Sequence, residues 1–552
     1  MKRFIYIIAI LSLASCSFLE ENPQGKLTTE GFFTNASDLD ASLNSLYSVV
    51  ATSQQQNNHV GTNFLHGDDI STHPASNKQS LREFDQYDVA DNNAWMQSLW
   101  EQRFKVIKAA NFIINNASRT PDVAQEDIDA AIAQAHYWRA FEYFYLVTTW
   151  GPVPVMLSEM IDYNAPLVSE EKIYELIISD LEIAERGCPV TYSKAPYFQN
   201  GVNVAVSQAA VKATMAYVYM CMAGWPLNKT EYYEKAADKA LEVIEGVENG
   251  TYYYQLLPSF SDIHSIRHNK NNKELLLGIY YNRDRHSNAS AATDILLEMG
   301  GWGDTQGEIK FWYDFPKGPR KDATYFPKLM LKNSISEKGS NENDEQEGDD
   351  KEEQQEPEWV ERDWWYSPKD DKGKDKREVV APIFMKSAEG LKQGEEFDYK
   401  IPAGCIAYGE KTIQIIRLSQ VYCWYAEAVG RAGTGDKGKA AVLLGEVAAR
   451  AYNADNMPDF AAMSYKELAE AAYNEHGWEV AGYYWSGFAT RARDMFRMYR
   501  YKDHFEYRKN NPEIEVAPGV FRNEIVPVTG VWDDSKMYAP YPYTDSVVNP
   551  SM

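Results

Sequence analysis

The chain has 552 residues, of which 44% are hydrophobic and 24% charged, an ordinary globular composition able to bury one large core or two. Its formal net charge of -25 argues against a nucleic-acid binder, which needs clustered Lys and Arg, and against adsorption to anionic lipid headgroups. Aromatic residues reach 13%, with 14 Trp and 37 Tyr, a supply that suits stacking on sugar rings and also fills helix–helix interfaces.

Lys2 and Arg3 precede an apolar run from Phe4 to Leu13, and small Ala14 and Ser15 stand before Cys16. That order is the layout of a secretory signal. The run is too short to cross a bilayer core, which needs roughly 20 apolar residues. Leu13-Ala14-Ser15-Cys16 resembles a bacterial lipobox, so residues 1–15 are read as a signal peptide and Cys16 as the acylated (palmitate-type) first residue of an anchored chain. Each buried acyl CH₂ contributes about 0.8 kcal/mol to such anchoring. An ordinary cleaved signal with an incidental Cys is the alternative. Acidic Glu20 and Glu21 follow at once. The other cysteines, Cys188, Cys221, Cys405 and Cys423, match no zinc or CxxC spacing, and their pairing stays open. Cys221 and Cys423 lie in apolar helical runs and read as buried thiols.

Helix signals then come in series. Phe104, Ile107, Asn111 and Ile114 share one face of a helix over about 95–117. Thr120-Pro121-Asp122 predicts the start of the next, which runs through Ala131, Trp138, Phe141 and Leu146 to a stop at Trp150-Gly151-Pro152. Ser169 opens a third with Ile173, Ile177, Leu181 and Ala184 on one stripe. An Ala-rich helix is expected over 203–223, and another from Thr230 to Asn249-Gly250. Two later pairs are expected at about 412–432 with 436–452 and 464–482 with 484–508. Serial helix pairs of this size predict a mainly α fold: a TPR-like helical-repeat scaffold over about 95–250 and 412–508, with long loops and a few short strands.

Between 251 and 411 the pattern loosens. Glu274 to Tyr281 reads as a short strand amid irregular Gly, Asn, Trp and Pro, the kind of loop-rich region where binding sites usually sit. Residues 337–378 form an acidic, mixed-charge insertion expected to be flexible. Its acids lack the alternate ligand spacing of an EF-hand. Trp359, Trp364, Trp365 and Tyr366 beside it either cover the core or cap a groove. There is no Gly-x-Ser-x-Gly, His-Glu-x-x-His, P-loop or Rossmann glycine pattern. His264 and His268 stand four apart in what reads as loop, without a third ligand nearby, so no metal or other cofactor is expected.

Residues 134–155 contain Arg139-Ala140-Phe141-Glu142-Tyr143-Phe144 running into Trp150-Gly151-Pro152-Val153-Pro154. This closely resembles the most recognisable segment of the SusD/RagB family of nutrient-binding lipoproteins. Further landmarks follow in the family's order: Asp180-Leu181, Arg417-Leu418 through Tyr425-Ala426-Glu427-Ala428, Arg491 with Asp494 and Arg497, Tyr541-Pro542 and Asn549-Pro550. The resemblance covers nearly all of 16–552. Gln134, Gln420 and His476 depart from the residues usual at those positions. Arg139, Trp150, Gly151, Glu427, Arg491 and Asp494 are read as structural signature, with Glu427 and Asp494 as partners for buried arginines, since an unpaired buried charge is costly.

The resemblance implies an outer-membrane lipoprotein facing the cell exterior. It would capture oligosaccharide, or peptide, without catalysis and deliver it to a TonB-dependent, SusC-like transporter. It also implies a ligand surface from the loops at 60–100 and 280–330. Candidates there are His66, Asp68, Asp69 and Trp95, then Tyr281, Arg283, Trp302, Trp312 and Tyr313. Trp302 stands out because Gly301 and Gly303 leave its ring faces open. A surface α-helical glycoside hydrolase and a protein-binding helical scaffold are the alternatives.

Overall fold

The computed structural model describes residues 31–54, 67–75, 77–160, 162–193, 195–284, 287–288, 295–332, 358–402, 404–406, 408–482 and 488–552. The helices that build the array are α1 (Ala36–Ser53), α2 (Ala94–Asn116), α3 (Gln125–Trp150), α4 (Glu170–Gly187), α5 (Gln208–Ala223), α6 (Tyr232–Glu248), α7 (Leu418–Ala432), α8 (Lys437–Ala449), α9 (Tyr465–Val480), α10 (Arg491–Arg497) and α11 (Tyr501–Asn510). Side-chain caps fix several starts. The Asn35 carbonyl oxygen accepts from Asp38 N, Asn93 accepts from Trp95 N and Met96 N, and Ser464 with Glu467 forms a reciprocal capping box. Several helices bury only a stripe: Leu39, Leu43, Leu46 and Val50 in α1, and Ile173, Ile177, Leu181 and Ala184 in α4. α3 differs, being buried almost all round from Ala131 onward because α1, α2 and α4 pack against it. The packing continues from α4 through α5 and α6 to α7, which also contacts α8 and α9. The fold is thus the expected TPR-like, mainly α scaffold.

Four boundaries depart from the sequence reading. The Thr120 hydroxyl donates to Ala117 O, 2.8 Å away, and closes the 3₁₀ turn Ala117–Arg119, so α3 begins only at Gln125. Val202–Asn203 pairs with Phe198–Gln199, which delays α5 to Gln208. The Ile-rich segment Ile413–Arg417 is a strand, not the first turn of α7. The expected helix over 484–508 is two helices, α10 and α11, separated at Tyr499, which has φ +52°. His264 ends the short helix Phe260–His264, and His268 closes a separate 3₁₀ turn.

Strands shape the loop-rich half: β1 (Ile70–Thr72), β2 (Leu275–Ile279), β3 (Thr305–Gly307), β4 (Leu329–Lys332), β5 (Trp359–Arg362) and β6 (Ile413–Arg417). They pair antiparallel as β1–β3, β2–β6 and β4–β5. The β2–β6 pair ties this half to the start of α7. A second core, including Ile295, Met299, Leu329, Trp364 and Ile383, underlies the loops, beside the large core of the array. The segment read as one flexible insertion over 337–378 divides. Residues 358–378 are folded, with β5, a Lys369–Asp375 bridge and a turn held by Asp370, whereas 337–357 lies outside the described residues. Trp364 is buried in the second core with Trp365 packed against it, so these rings cover core. Cys188, Cys221, Cys405 and Cys423 are free and buried. Among the described residues, no helix is long and apolar enough to cross a membrane.

Candidate functional site

The helical array is locked by buried ion pairs, and these absorb the signature residues. Arg139 on α3 meets the Asp180 carboxylate of α4 at 2.7 and 2.8 Å and donates to Asn111 Oδ1 of α2 at 2.9 Å. Its partner is therefore Asp180, not the expected Glu427 or Asp494. Those two hold Arg497 instead: Arg497 donates to Glu427 at 2.6 and 2.9 Å, and to Asp494 at 2.9 Å. Burial alone would raise the Asp494 carboxyl, but His476 and Arg497 beside it hold it well below the usual range. The departing residues are likewise engaged: Gln134 accepts from Tyr47, and Gln420 caps the Arg417 N–H that opens α7. Trp150 Nε1 donates to Pro540 O, and Gly151 follows at φ +76°, with an added Cβ only 3.2 Å from the Tyr538 ring. The positive φ favours glycine there, and an added Cβ would crowd the Tyr538 ring.

Most of the candidate ligand residues are also committed to the interior. Asp68 forms a two-bond ion pair with Arg491 at 2.6 and 2.8 Å. Asp69 is buried and accepts from Gly482 N at 2.7 Å; burial first, then the Asp68 charge, pushes its carboxyl up to about 6. Trp95 and Tyr281 are buried, the latter donating to Ala51 O. Arg283 pairs with buried Glu389 and donates to Leu391 O, fastening one loop to the next. Trp312 packs edge-on to Trp364 with the Lys321 amine 4.0 Å above its ring. His66, like Cys16, lies outside the described residues.

Two candidates face solvent: Trp302, 38% exposed, and Tyr313, 53% exposed. Trp302 stands on a tight loop. Gly303 N donates to Ile295 O at 2.8 Å, and a Cβ on Gly301 would fall 2.1 Å from the same oxygen. A second loop is joined to this one by Cys405 N donating to Met299 O at 3.2 Å. It brings Tyr408, 49% exposed, edge-on to Trp302 with ring centroids 6.0 Å apart at 75°. Exposed Leu297, Leu391 and Ile401 stand on the same two loops. Tyr408 was not foreseen, and only its neighbouring Gly409 hinted at an open position. The pair offers apolar ring faces to solvent, a geometry for non-covalent stacking. Among the described residues, no group of three His, Cys, Asp or Glu side chains gathers to hold a metal ion. A different groove, of about 870 Å³, runs between α2, residues 154–164 and the C-terminal segment, floored by Trp100, Phe104 and Met156.

A helical-repeat scaffold carrying one loop-rich face is the class of molecule this geometry defines. Residues 17–220 match the SusD-like family profile described as starch-binding, associating with the outer membrane. SusD-like protein P2 of Formosa agariphila is 30% identical over 291 residues, 51% of this chain and 53% of that relative, so the chain matches about half of the relative's length. Among solved structures, a SusD-like carbohydrate binding protein from Bacteroides fragilis superposes with TM-score 0.70 at 16% identity, covering 94% of this chain and 99% of the other. Another, solved with a xylogluco-oligosaccharide, gives TM-score 0.64 at 19% identity, with 93% and 97% covered. Residues 17–220 are thus similar to the SusD-like family, and the fold is that of the SusD-like structures.

Proposed function

We propose that this chain is a lipid-anchored, cell-surface protein that binds oligosaccharide without catalysis on the Trp302–Tyr408 platform. It then delivers the ligand to a TonB-dependent, SusC-like transporter. The observation that carries the reading is the solvent-facing ring pair on two hydrogen-bonded loops; of the other described candidates only Tyr313 faces solvent, and among the described residues it has no aromatic partner in contact. The carbohydrate-binding relatives support the ligand class, and the lipobox-like Leu13-Ala14-Ser15-Cys16 supports the anchor.

The test is a glycan and peptide array with residues 17–552, followed by calorimetry on any hit. Trp302, 38% exposed, offers about 95 Å² if a Trp presents roughly 250 Å² in full. A sugar covering half of that at about 25 cal/mol/Å² gains about 1.2 kcal/mol. Trp302→Ala should therefore weaken binding roughly eightfold. Unchanged affinity would remove the platform from the reading, and release of shortened product would replace capture by hydrolysis. Co-purification from outer membranes tests the transporter partner.

A further inference from the structure

A second concavity, of about 340 Å³, shares no lining residue with the Trp302–Tyr408 platform. The short helices Phe260–His264 and Pro319–Thr324, residues 385–397 and Lys411 enclose it. Its inner wall carries two amines. Lys411 Nζ donates to Lys386 O at 2.8 Å, which leaves two of its three N–H bonds for other acceptors. Lys386 Nζ donates to Ala481 O at 2.7 Å and Glu479 O at 3.2 Å, at the C-terminal end of α9. Among the described residues, neither amine has a carboxylate ion-pair partner, although the chain carries 80 acidic residues. Exposed lysines elsewhere do find one, as Lys270 does with Glu410 and Lys328 with Asp363.

The charges around the amines are mixed: Glu389 and Glu396 face Lys411 without pairing with it, and Arg417, Glu479, Asp69 and Arg320 surround Lys386. Burial, then Lys386, Arg417 and Lys411, hold the adjacent His264 imidazole well below its usual range. Burial likewise brings the Lys411 ammonium down to about 8. The nearby acids are occupied or penalised. Glu396 accepts from Ser265 Oγ and Arg267 N, and Glu389 accepts the Lys411 backbone N–H while pairing with Arg283. Burial raises Asp322. An anion arriving at Lys411 would supply the direct ion pair that the more distant Glu389 and Glu396 do not make, and would use its spare donors. Met385 and Phe397 give the cavity apolar walls for a small carbon skeleton.

We propose that this cavity binds a carboxylate carried on a ligand about one sugar ring in size, with Lys411 Nζ as its charge partner and Lys386 behind it. The carboxylate could belong to a uronic acid or to a peptide C-terminus, and the experiment separates these sources. Residues 17–552 are acetylated with an N-hydroxysuccinimide ester at pH 8, and the rate at Lys411 is read by peptide mass spectrometry. Glucuronate should slow labelling at least fivefold, while glucose should leave it unchanged. N-acetylglycine slowing it equally would point to a general carboxylate site open to peptide ends; protection by glucuronate alone would point to acidic sugars. No protection by either acid, or equal protection by glucose, overturns the proposal.

Calorimetry with glucuronate adds a second readout. Lys411→Met should abolish the heat, and Trp302→Ala should not. Glucuronate binding that survives Lys411→Met, or that is lost in Trp302→Ala, also overturns it. If Lys411→Met does not fold, the labelling of the wild-type chain decides. The platform reading stands or falls separately, on neutral glycans.

Discussion

Replacing Asp180 by alanine isolates the contribution of one buried ion pair to the array. In the wild type the Asp180 carboxylate receives two Arg139 bonds at 2.7 and 2.8 Å, with side chains only 2% and 7% exposed. It also meets His136 Nδ1 at 2.6 Å. The variant leaves Arg139 buried without a carboxylate, with Asn111 Oδ1 at 2.9 Å and His136 Nδ1 at 3.4 Å beside it. Removing one partner of such a pair costs about 3–5 kcal/mol, whereas replacing both with apolar side chains of similar volume is often neutral. The unfolding entropy of 552 residues at about 2.1 cal/mol/K per residue is about 1.2 kcal/mol/K, if the chain melts as one unit. Asp180→Ala should then lower the calorimetric midpoint by about 2.5–4 °C. Arg139→Met with Asp180→Leu should recover most of that loss. A single variant that melts with the wild type would show that the pair is stabilised no better than its separated charges. A double variant as damaged as the single would show that packing, not charge, is what the site requires.

Tyr408→Ala should weaken glycan binding about 2- to 10-fold by removing the edge contact that braces Trp302, and calorimetry showing no change would detach Tyr408 from the site. Asp69 has its pKa raised to about 6, above an unfolded value near 3.9, so the folded chain holds the proton more tightly. Stability from this group is present below about pH 4 and lost as pH rises through 6. Urea midpoints at pH 4.5 and 7 should therefore converge in Asp69→Asn, and a slope identical to wild type would contradict the assignment. The four buried thiols, each raised by burial, should resist a disulfide reagent in the native protein and all react after denaturation. Fewer than four in denaturant would mean that a disulfide exists.

The array was legible because its information is local. The spacing of Ile173, Ile177, Leu181 and Ala184 already specifies one buried stripe, and the Asn249-Gly250 stop coincides with the end of α6. Strand β6 was not legible. A five-residue segment, Ile413-Gln414-Ile415-Ile416-Arg417, is too short for its pattern to separate strand from helix, and its partner β2 is remote in the chain. Thr120 gave a true local signal that was spent on a 3₁₀ turn. Arg491 was correctly seen as needing an acid, but Asp68 meets it across more than four hundred residues of sequence. The exposed position of Trp302 could be inferred from its glycine neighbours. Tyr408 could not, because only the Met299–Cys405 contact between loops brings it there.

In the β4–β5 ribbon, Lys332 and Trp359 are direct cross-strand partners, so the backbone departs and returns at a single doorway. A flexible segment joining two such ends has only one inter-strand spacing to close. Each doubling of such a loop costs only about 0.6 kcal/mol of closure entropy. An epitope or a fluorescent reporter placed between Lys332 and Trp359 would therefore start and finish one inter-strand spacing apart, with both strands keeping their register.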